Sequence, residues 1–331
     1  MRSRFKVGVA GLAAVGVTIG GTAVAQRAGR LRQVMQHAQE RRSQQPADPN
    51  ATPIRGPGDY RFSFVHGGIT REYLVHVPKS YRGAPTPMLI ALHGGGGNAD
   101  FQANDSKYKL IGKSEQAGFI AVFPNGYSRF PSGILATWNA GTCCGKAQEG
   151  KIDDVGFIRA TIARIEGQAN IDQRRIFATG MSNGAMMSWR LACEALEIRA
   201  IAPVAGTDNT PACKPPRPVP VIEFHAADDD HVPFNGGVGI GPSRVDFVSV
   251  PATQAKWMQI DRADVKTKRV LTVAGAHCDL HSAKPGGAPV ELCVTDSGGH
   301  SWPGGGTQQG RKQPSMAISA NDLMWDFFSS L

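Results

Sequence analysis

The sequence predicts an α/β fold: a mostly parallel, doubly wound sheet with antiparallel strands at its N-terminal edge and no large lid. Three observations lead there. Short apolar runs at 88–92 (MLIAL) and 119–123 (FIAVF), and the mainly apolar 219–224 (VPVIEF), read as strands buried on both faces. Helix-like stretches alternate with these runs, as a parallel sheet covered on both sides requires. Segments 60–66 and 71–77 alternate polar and apolar residues about Gly67-Gly68, which predicts an antiparallel hairpin at one edge.

The chain opens with a charged segment, Arg2 to Lys6, followed by an apolar run from Val7 to Ala25 that ends Ala23-Val24-Ala25. This is the layout of a secretory signal with a small-residue cleavage site, so residues 1–25 are expected to be a signal peptide cut near Ala25. The rival reading is an uncleaved anchor, because the run is close to spanning length; a membrane is a partner only in that case. Either way the body of the protein is expected outside the cytoplasm, secreted or periplasmic, and six cysteines suit an oxidising compartment. Residues 26–57 are basic and then Pro-rich, and read as a linker. The folded domain is expected over 58–331, and a monomer is expected.

The formal charge of +9 is misleading until it is located. Residues 1–42 hold eight Lys or Arg and one acid, Glu40, an excess of +7. The remaining 289 residues carry only +2. A nearly neutral body does not offer a nucleic-acid face, so no nucleic-acid partner is expected.

Within the domain, strand 88–92 runs into His93-Gly94-Gly95-Gly96-Gly97-Asn98. A helix near 108–117 leads to strand 119–123. Asp153 and Asp154 open a helix running to about Gln168 and are expected to cap it. A strand through Ile176-Phe177-Ala178 then meets Gly180-Met181-Ser182-Asn183-Gly184 and an amphipathic helix. In that context G-x-S-x-G is a strand-to-helix turn tight enough to push the serine out at its tip. Glycine is needed on both flanks because a Cβ would strike strand or helix. Strands at 201–204, 219–224, 270–273 and 290–295 follow, and a last helix spans 317–328.

A serine hydroxyl is a poor nucleophile until a base takes its proton, so the chain must supply a histidine and an acid to orient it. In a doubly wound sheet such groups lie beyond the carboxyl ends of strands. Strand 219–224 is followed by His225-Ala-Ala-Asp228-Asp229-Asp230-His231, and strand 290–295 by Asp296-Ser-Gly-Gly-His300. The order Ser182, Asp229, His300 is that of the α/β-hydrolase triad. Asp228 and Asp230 flank the acid. The oxyanion donors are expected to be the N–H groups of Asn183 and Gly95, or Gly96 if the glycine loop is shifted by one. His93 is expected to prop that loop. His277 and His281 flank Cys278 without an HExxH pattern, so no metal is expected.

Together LHGGGGN, TWNAGTCCGKA, DDVGF, TGMSNGAMM, VPFNGG and GGHSWPGG resemble the secreted poly(3-hydroxybutyrate) depolymerase-like and feruloyl esterase-like α/β-hydrolases, over roughly 58–331. The resemblance implies Ser182 as nucleophile, His300 as base and Asp229 as acid. Where that family usually reads Gly-Thr-Ala before the acid, this chain has Ala226-Ala227-Asp228, and Asp228 stands as the alternative acid. The implied activity is a secreted serine esterase with no cofactor, acting on hydroxybutyrate-type polyester or on feruloyl or acetyl esters of plant polysaccharide. A hydrolase-shaped polymer-binding protein and a serine peptidase are the alternatives. Trp138 and Trp302 stand in loops beside the site, either as aromatic faces for substrate or as packing. The segment from Ser182 to Asp229 leaves little length for a lid, and the loop 234–249 is the one expected flap.

Cys278 and Cys293 lie symmetrically about Pro285-Gly286-Gly287 and are expected to bridge across a hairpin. Cys143 and Cys144, being adjacent, are expected to bond to Cys193 and Cys213 rather than to each other, with the pairing open.

Overall fold

The computed structural model describes residues 53–241, 243–308 and 312–331. The signal segment 1–25 and nearly all of the linker 26–57 expected from the sequence lie outside the described residues.

The hairpin forms as its alternation predicts, from β1 (Gly58–His66) and β2 (Ile69–Val77), with His66 opposite Ile69. The parallel strands are β3 (Thr86–Leu92), β4 (Ile120–Pro124), β5 (Ile171–Met181), β6 (Ala200–Val204) and β7 (Val221–Ala226). A short pair follows, β8 (Gly237–Val238) with β9 (Asp246–Phe247), and it folds the expected flap back on itself. The chain then adds β10 (Ala263–Val273), β11 (Ala276–Ala283) and β12 (Val290–Thr295).

The ten-stranded sheet runs in the order β1-β2-β4-β3-β5-β6-β7-β12-β11-β10. The six central strands β4-β3-β5-β6-β7-β12 are parallel, and both edges are antiparallel. The N-terminal hairpin was expected at one edge; the meander β12-β11-β10 forms the other.

Five longer helices cover the sheet: α1 (Leu110–Ala117), α2 (Asp154–Glu166), α3 (Asn183–Glu194), α4 (Val250–Ile260) and α5 (Ala320–Ser329). Strand β3 shows why its apolar run is continuous. Met88, Ile90 and Leu92 join the core beneath α2, α3 and α4, whereas Leu89 and Ala91 join the core beneath α1 and α5. Each buried side chain of this size contributes about 1.5–3 kcal/mol by leaving water. Trp189 of α3 lies 5.1 Å from Trp257 of α4 on the first face, and Phe177 stacks at 4.3 Å on Phe328 of α5 on the second. Both faces of the sheet are thus tied to helices, which makes its carboxyl rim a rigid platform.

Asp153 accepts from the Gly156 N–H and caps α2 as expected. Asp154 does not cap. It is fully buried, takes Arg71 Nη2 at 2.6 Å and the Asn139 N–H at 2.8 Å, and so ties the hairpin to the loop that carries Trp138.

Cys278 stands opposite Cys293 and the two are bonded, which fixes the register of β11 against the strand that leads to His300. The other four cysteines correct the expectation. Cys193 pairs with Cys213, whose Cα atoms are 5.0 Å apart, and Cys143 pairs with Cys144. With Cys193 and Cys213 within ordinary bridging distance of each other, no thiol is left for the adjacent pair but its neighbour.

Candidate active site

Ser182 sits between the end of β5 and the first turn of α3, at φ 58° and ψ −120°. This is strained backbone for a residue with a Cβ, and such strain persists only where the surroundings over-determine it. Here the crowding is explicit. A methyl on Gly180 would stand 2.5 Å from the Gly184 carbonyl carbon and 2.8 Å from the Leu92 oxygen. One on Gly184 would strike the Leu92 and His93 carbonyls. The Ser182 N–H donates to Val204 O at 2.9 Å, which anchors the turn to β6.

Asp229 follows β7 and His300 follows β12, neighbouring parallel strands at the same carboxyl rim. His300 Nδ1 lies 2.8 Å from Asp229 Oδ2. The other oxygen of Asp229 accepts the backbone N–H groups of His231 at 2.8 Å and Val232 at 2.9 Å. Burial would raise the Asp229 carboxyl. The hydrogen bond and charge of His300, the His225 ring and the Val232 amide outweigh it and hold the group below the usual carboxylate range.

The flanking acids are engaged elsewhere. Asp228 accepts the Gly299 N–H at 2.7 Å and meets Lys312, bracing the loop before His300. Asp230 holds His231 Nδ1 at 2.6 Å, a bond that keeps its carboxyl low. The His231 ring lies nearly parallel to the His300 ring, centroids 5.0 Å apart, so two His–Asp pairs stack side by side.

The glycine loop is held from behind. His93 is fully buried; Nδ1 donates to Gly94 O at 2.8 Å and Nε2 accepts from Gly126 N–H at 2.9 Å. That pattern needs the neutral ring, and burial pushes its pKa down to about 4 despite the Gly94 bond. Asn183 clamps the neighbouring loop. Its Oδ1 accepts the Trp138 N–H at 2.7 Å, and its Nδ2 donates to Trp138 O at 3.1 Å. Gly96 N–H is spent on Ala136 O and Gly97 N–H on Gly94 O. Asn183 is the first residue of α3, where N–H groups have no partner within the helix. A Cβ on Gly95 would lie 3.6 Å from the Asn183 Cβ, so the two residues are neighbours.

Trp138 and Trp302 are not open aromatic faces. They are 0% and 2% exposed, and each spends its indole N–H inside the protein, on His93 O at 2.9 Å and on Asn321 Oδ1 at 3.0 Å. Both serve as packing: Trp138 lies 4.9 Å from the His93 ring and Trp302 meets Tyr108 edge-on.

Among the described residues, two groups of three donors converge closely enough for a cation. Cys278 and Cys293 of the first are bonded to each other. The second, Asp229, Asp230 and His231, is already spent on His300, backbone amides and its own His–Asp pair.

Two residues that sequence reading passed over belong to this site. Glu223 and His225 are fully buried on β7 behind Asp229. The available signal was a Glu and a His two apart, hence on one face, inside the apolar run VPVIEFHA.

A parallel sheet, a strained serine at a strand-to-helix elbow and a His–Asp pair at the same rim define an α/β-hydrolase. The solved acetyl xylan esterase from Aspergillus awamori shares this fold, with a TM-score of 0.53 over 79% of this chain and 94% of that one, at 14% identity. Feruloyl esterase C of Emericella nidulans is 31% identical over 56% of this chain and 68% of its own length. Feruloyl esterase B of Piromyces equi is 29% identical over 70% of this chain, which spans only 42% of that protein. No family model matches the chain. The chain belongs to the feruloyl esterase-like family of α/β-hydrolases.

Proposed function

We propose that the protein is a serine carboxylic ester hydrolase that works outside the cytoplasm, with Ser182 as nucleophile, His300 as base and Asp229 as its orienting acid. The observation that carries this reading is the 2.8 Å bond from His300 Nδ1 to Asp229 Oδ2, at the sheet rim that also presents Ser182 in an elbow. With Nδ1–H given to Asp229, the other ring nitrogen of His300 is left to take the Ser182 proton. Ser182 Oγ attacks the ester carbonyl. The resulting oxyanion is held by the N–H groups of Asn183 and Gly95, Gly96 being spent on Ala136. Each such donor is worth about 10²–10³ in rate. The tetrahedral species collapses, and His300 returns the proton to the leaving alcohol. Water, activated by the same histidine, then releases the acid from Ser182.

The substrate we assign is a feruloyl or acetyl ester of plant polysaccharide, on the strength of relatives named for such esters; a hydroxybutyrate-type polyester is the other ester class that the motif resemblance implies. Three disulfides support an extracellular or periplasmic site of action, with residues 1–25 as the exported signal and 26–57 as linker. Turnover of methyl ferulate, acetylated xylan and hydroxybutyrate oligomers by purified protein tests the assignment. At least one should be cleaved by wild type and by none of the Ser182→Ala preparations. Full activity in that variant would overturn the mechanism.

A further inference from the structure

We propose that His225 is an imidazolium held between Glu223 and Asp229, a positioning residue that keeps the Asp229 carboxylate anionic and turned toward His300. The proposal rests on Asp229 serving His300 in the hydrolysis described above, and it adds a third and a fourth group to that chain.

Glu223 and His225 are 0% and 1% exposed and share one face of β7. Glu223 Oε2 accepts from Gln254 Nε2 of α4 at 2.6 Å. Its other oxygen faces His225 Nδ1 at 3.5 Å, and among the described residues neither of those two atoms has another hydrogen-bond partner. On the far side of the ring, Nε2 lies 2.8 Å from Val232 O and 3.5 Å from Asp229 Oδ2. A carbonyl oxygen cannot donate, so Nε2 carries a hydrogen. A neutral ring would then aim the lone pair of Nδ1 at a carboxylate oxygen in a fully buried site, two acceptors facing each other. A proton on Nδ1 removes that conflict and gives Glu223 the counter-charge that a fully buried carboxylate requires.

The surroundings agree. Burial favours the neutral ring, but the Glu223 carboxylate facing Nδ1 and the charges of Asp229 and Glu223 outweigh it, and the ring's pKa is raised. The titratable groups facing the ring are Glu223 from its own strand and Asp229 from the turn that follows, with His300 beyond the shared Oδ2 atom. Gln254 reaches it through Glu223, and Phe234 closes it edge-on at 6.0 Å. His225 also holds the turn itself: Val232 gives its N–H to Asp229 and its carbonyl to His225.

One consequence can be measured. A cation on Asp229 Oδ2 offsets part of the carboxylate charge felt by His300. Activity therefore persists to lower pH than an Asp–His pair alone allows. In His225→Gln the acid limb of kcat/KM should move up by about one pH unit, with KM within two-fold of wild type. A limb that stays in place while only thermal stability falls would mean a structural role and overturn the proposal.

The direct test is ring-¹⁵N NMR of the full chain labelled at histidine, with the His225 signals assigned by their loss in His225→Gln. Both ring nitrogens should read as protonated at neutral pH. In Glu223→Gln, which keeps the shape and the bond to Gln254, the ring should turn neutral. A neutral His225 in the wild type would place the shared proton on Glu223 and overturn the assignment, as would a ring still doubly protonated in Glu223→Gln. This readout needs no turnover. If no ester is cleaved, the hydrolase reading fails while the protonation state of His225 is still decided.

Discussion

Gly184→Ala tests the elbow at the point where the two halves of the site touch. The added methyl would meet the Leu92 carbonyl oxygen head-on, and would stand 2.6 Å from His93 O and 2.7 Å from Leu92 C. Carbon and oxygen at rest need about 3.5 Å, so α3 and the end of β3 must part by roughly 1 Å. That motion carries Ser182 and Asn183 away from Gly95. A misplacement of that size costs about 10² in rate, and overpacking of a rigid core costs about 1–3 kcal/mol of stability. The assay is kcat for p-nitrophenyl acetate at equal concentrations of folded protein, checked by circular dichroism. Gly95→Ala is the matched control. Its methyl lies 3.6 Å from the Asn183 Cβ, an ordinary contact, and its N–H remains. It should stay within a few-fold of wild type on the same small ester. A Gly184→Ala variant with wild-type kcat would refute the argument that this glycine sets the spacing between nucleophile and glycine loop.

Further outcomes follow from the same geometry. Asn183→Ala removes both bonds to the Trp138 backbone and strands its buried N–H, the carbonyl keeping the Cys144 N–H. It should therefore lose about 1–3 kcal/mol in chemical denaturation and, by loosening the loop beside the elbow, about 10² in kcat although the Asn183 backbone N–H remains. Asp261 is fully buried; desolvation raises its carboxyl to about 7 against the Val219 amide and Arg217, which lower it. A raised carboxyl stabilises the fold below its unfolded value and loses that contribution as pH climbs through about 7. Asp261→Asn, free of the titration, should therefore gain up to about 4 kcal/mol on wild type between pH 4 and pH 8, read from denaturant melts at both ends. A difference that does not change with pH would contradict this. Removing the Cys193–Cys213 bridge by double serine substitution should cost about 3 kcal/mol, the loop it closes being 20 residues long.

Much of the fold was legible because a strand buried on both faces and a strand buried on one face leave different traces. The run 88–92 is apolar throughout because both sides meet helices, and the hairpin about Gly67-Gly68 alternates because only one side does. The Cys278–Cys293 bridge was legible from symmetry about a turn. Helix α4 was not read at all. Ser249 caps it and Pro251 sits in its first turn, yet 250–260 falls between the expected flap 234–249 and the expected strand 270–273 with no element assigned to it. Candidate roles divide along similar lines. Ser182 carries its context in a five-residue signature, and the His300–Asp229 distance agrees with the chain order that suggested the pair. Trp138 and Trp302 were placed in the right loops, but burial is decided by neighbours from distant segments, His93 and Tyr108. Asp154 read as a cap because its partner, Arg71, lies 83 residues away. The adjacent cysteines depended likewise on how near Cys193 comes to Cys213, which no spacing encodes.

The central claim is that one hydroxyl in this chain, that of Ser182, attacks acyl centres because a distant imidazole at the same rim accepts its proton. Intact-mass and peptide mapping after exposure to a fluorophosphonate probe tests it most directly. Stoichiometric addition confined to the peptide containing Ser182, and abolished in His300→Ala, is the predicted result. An unmodified protein, or label on a different residue, contradicts it.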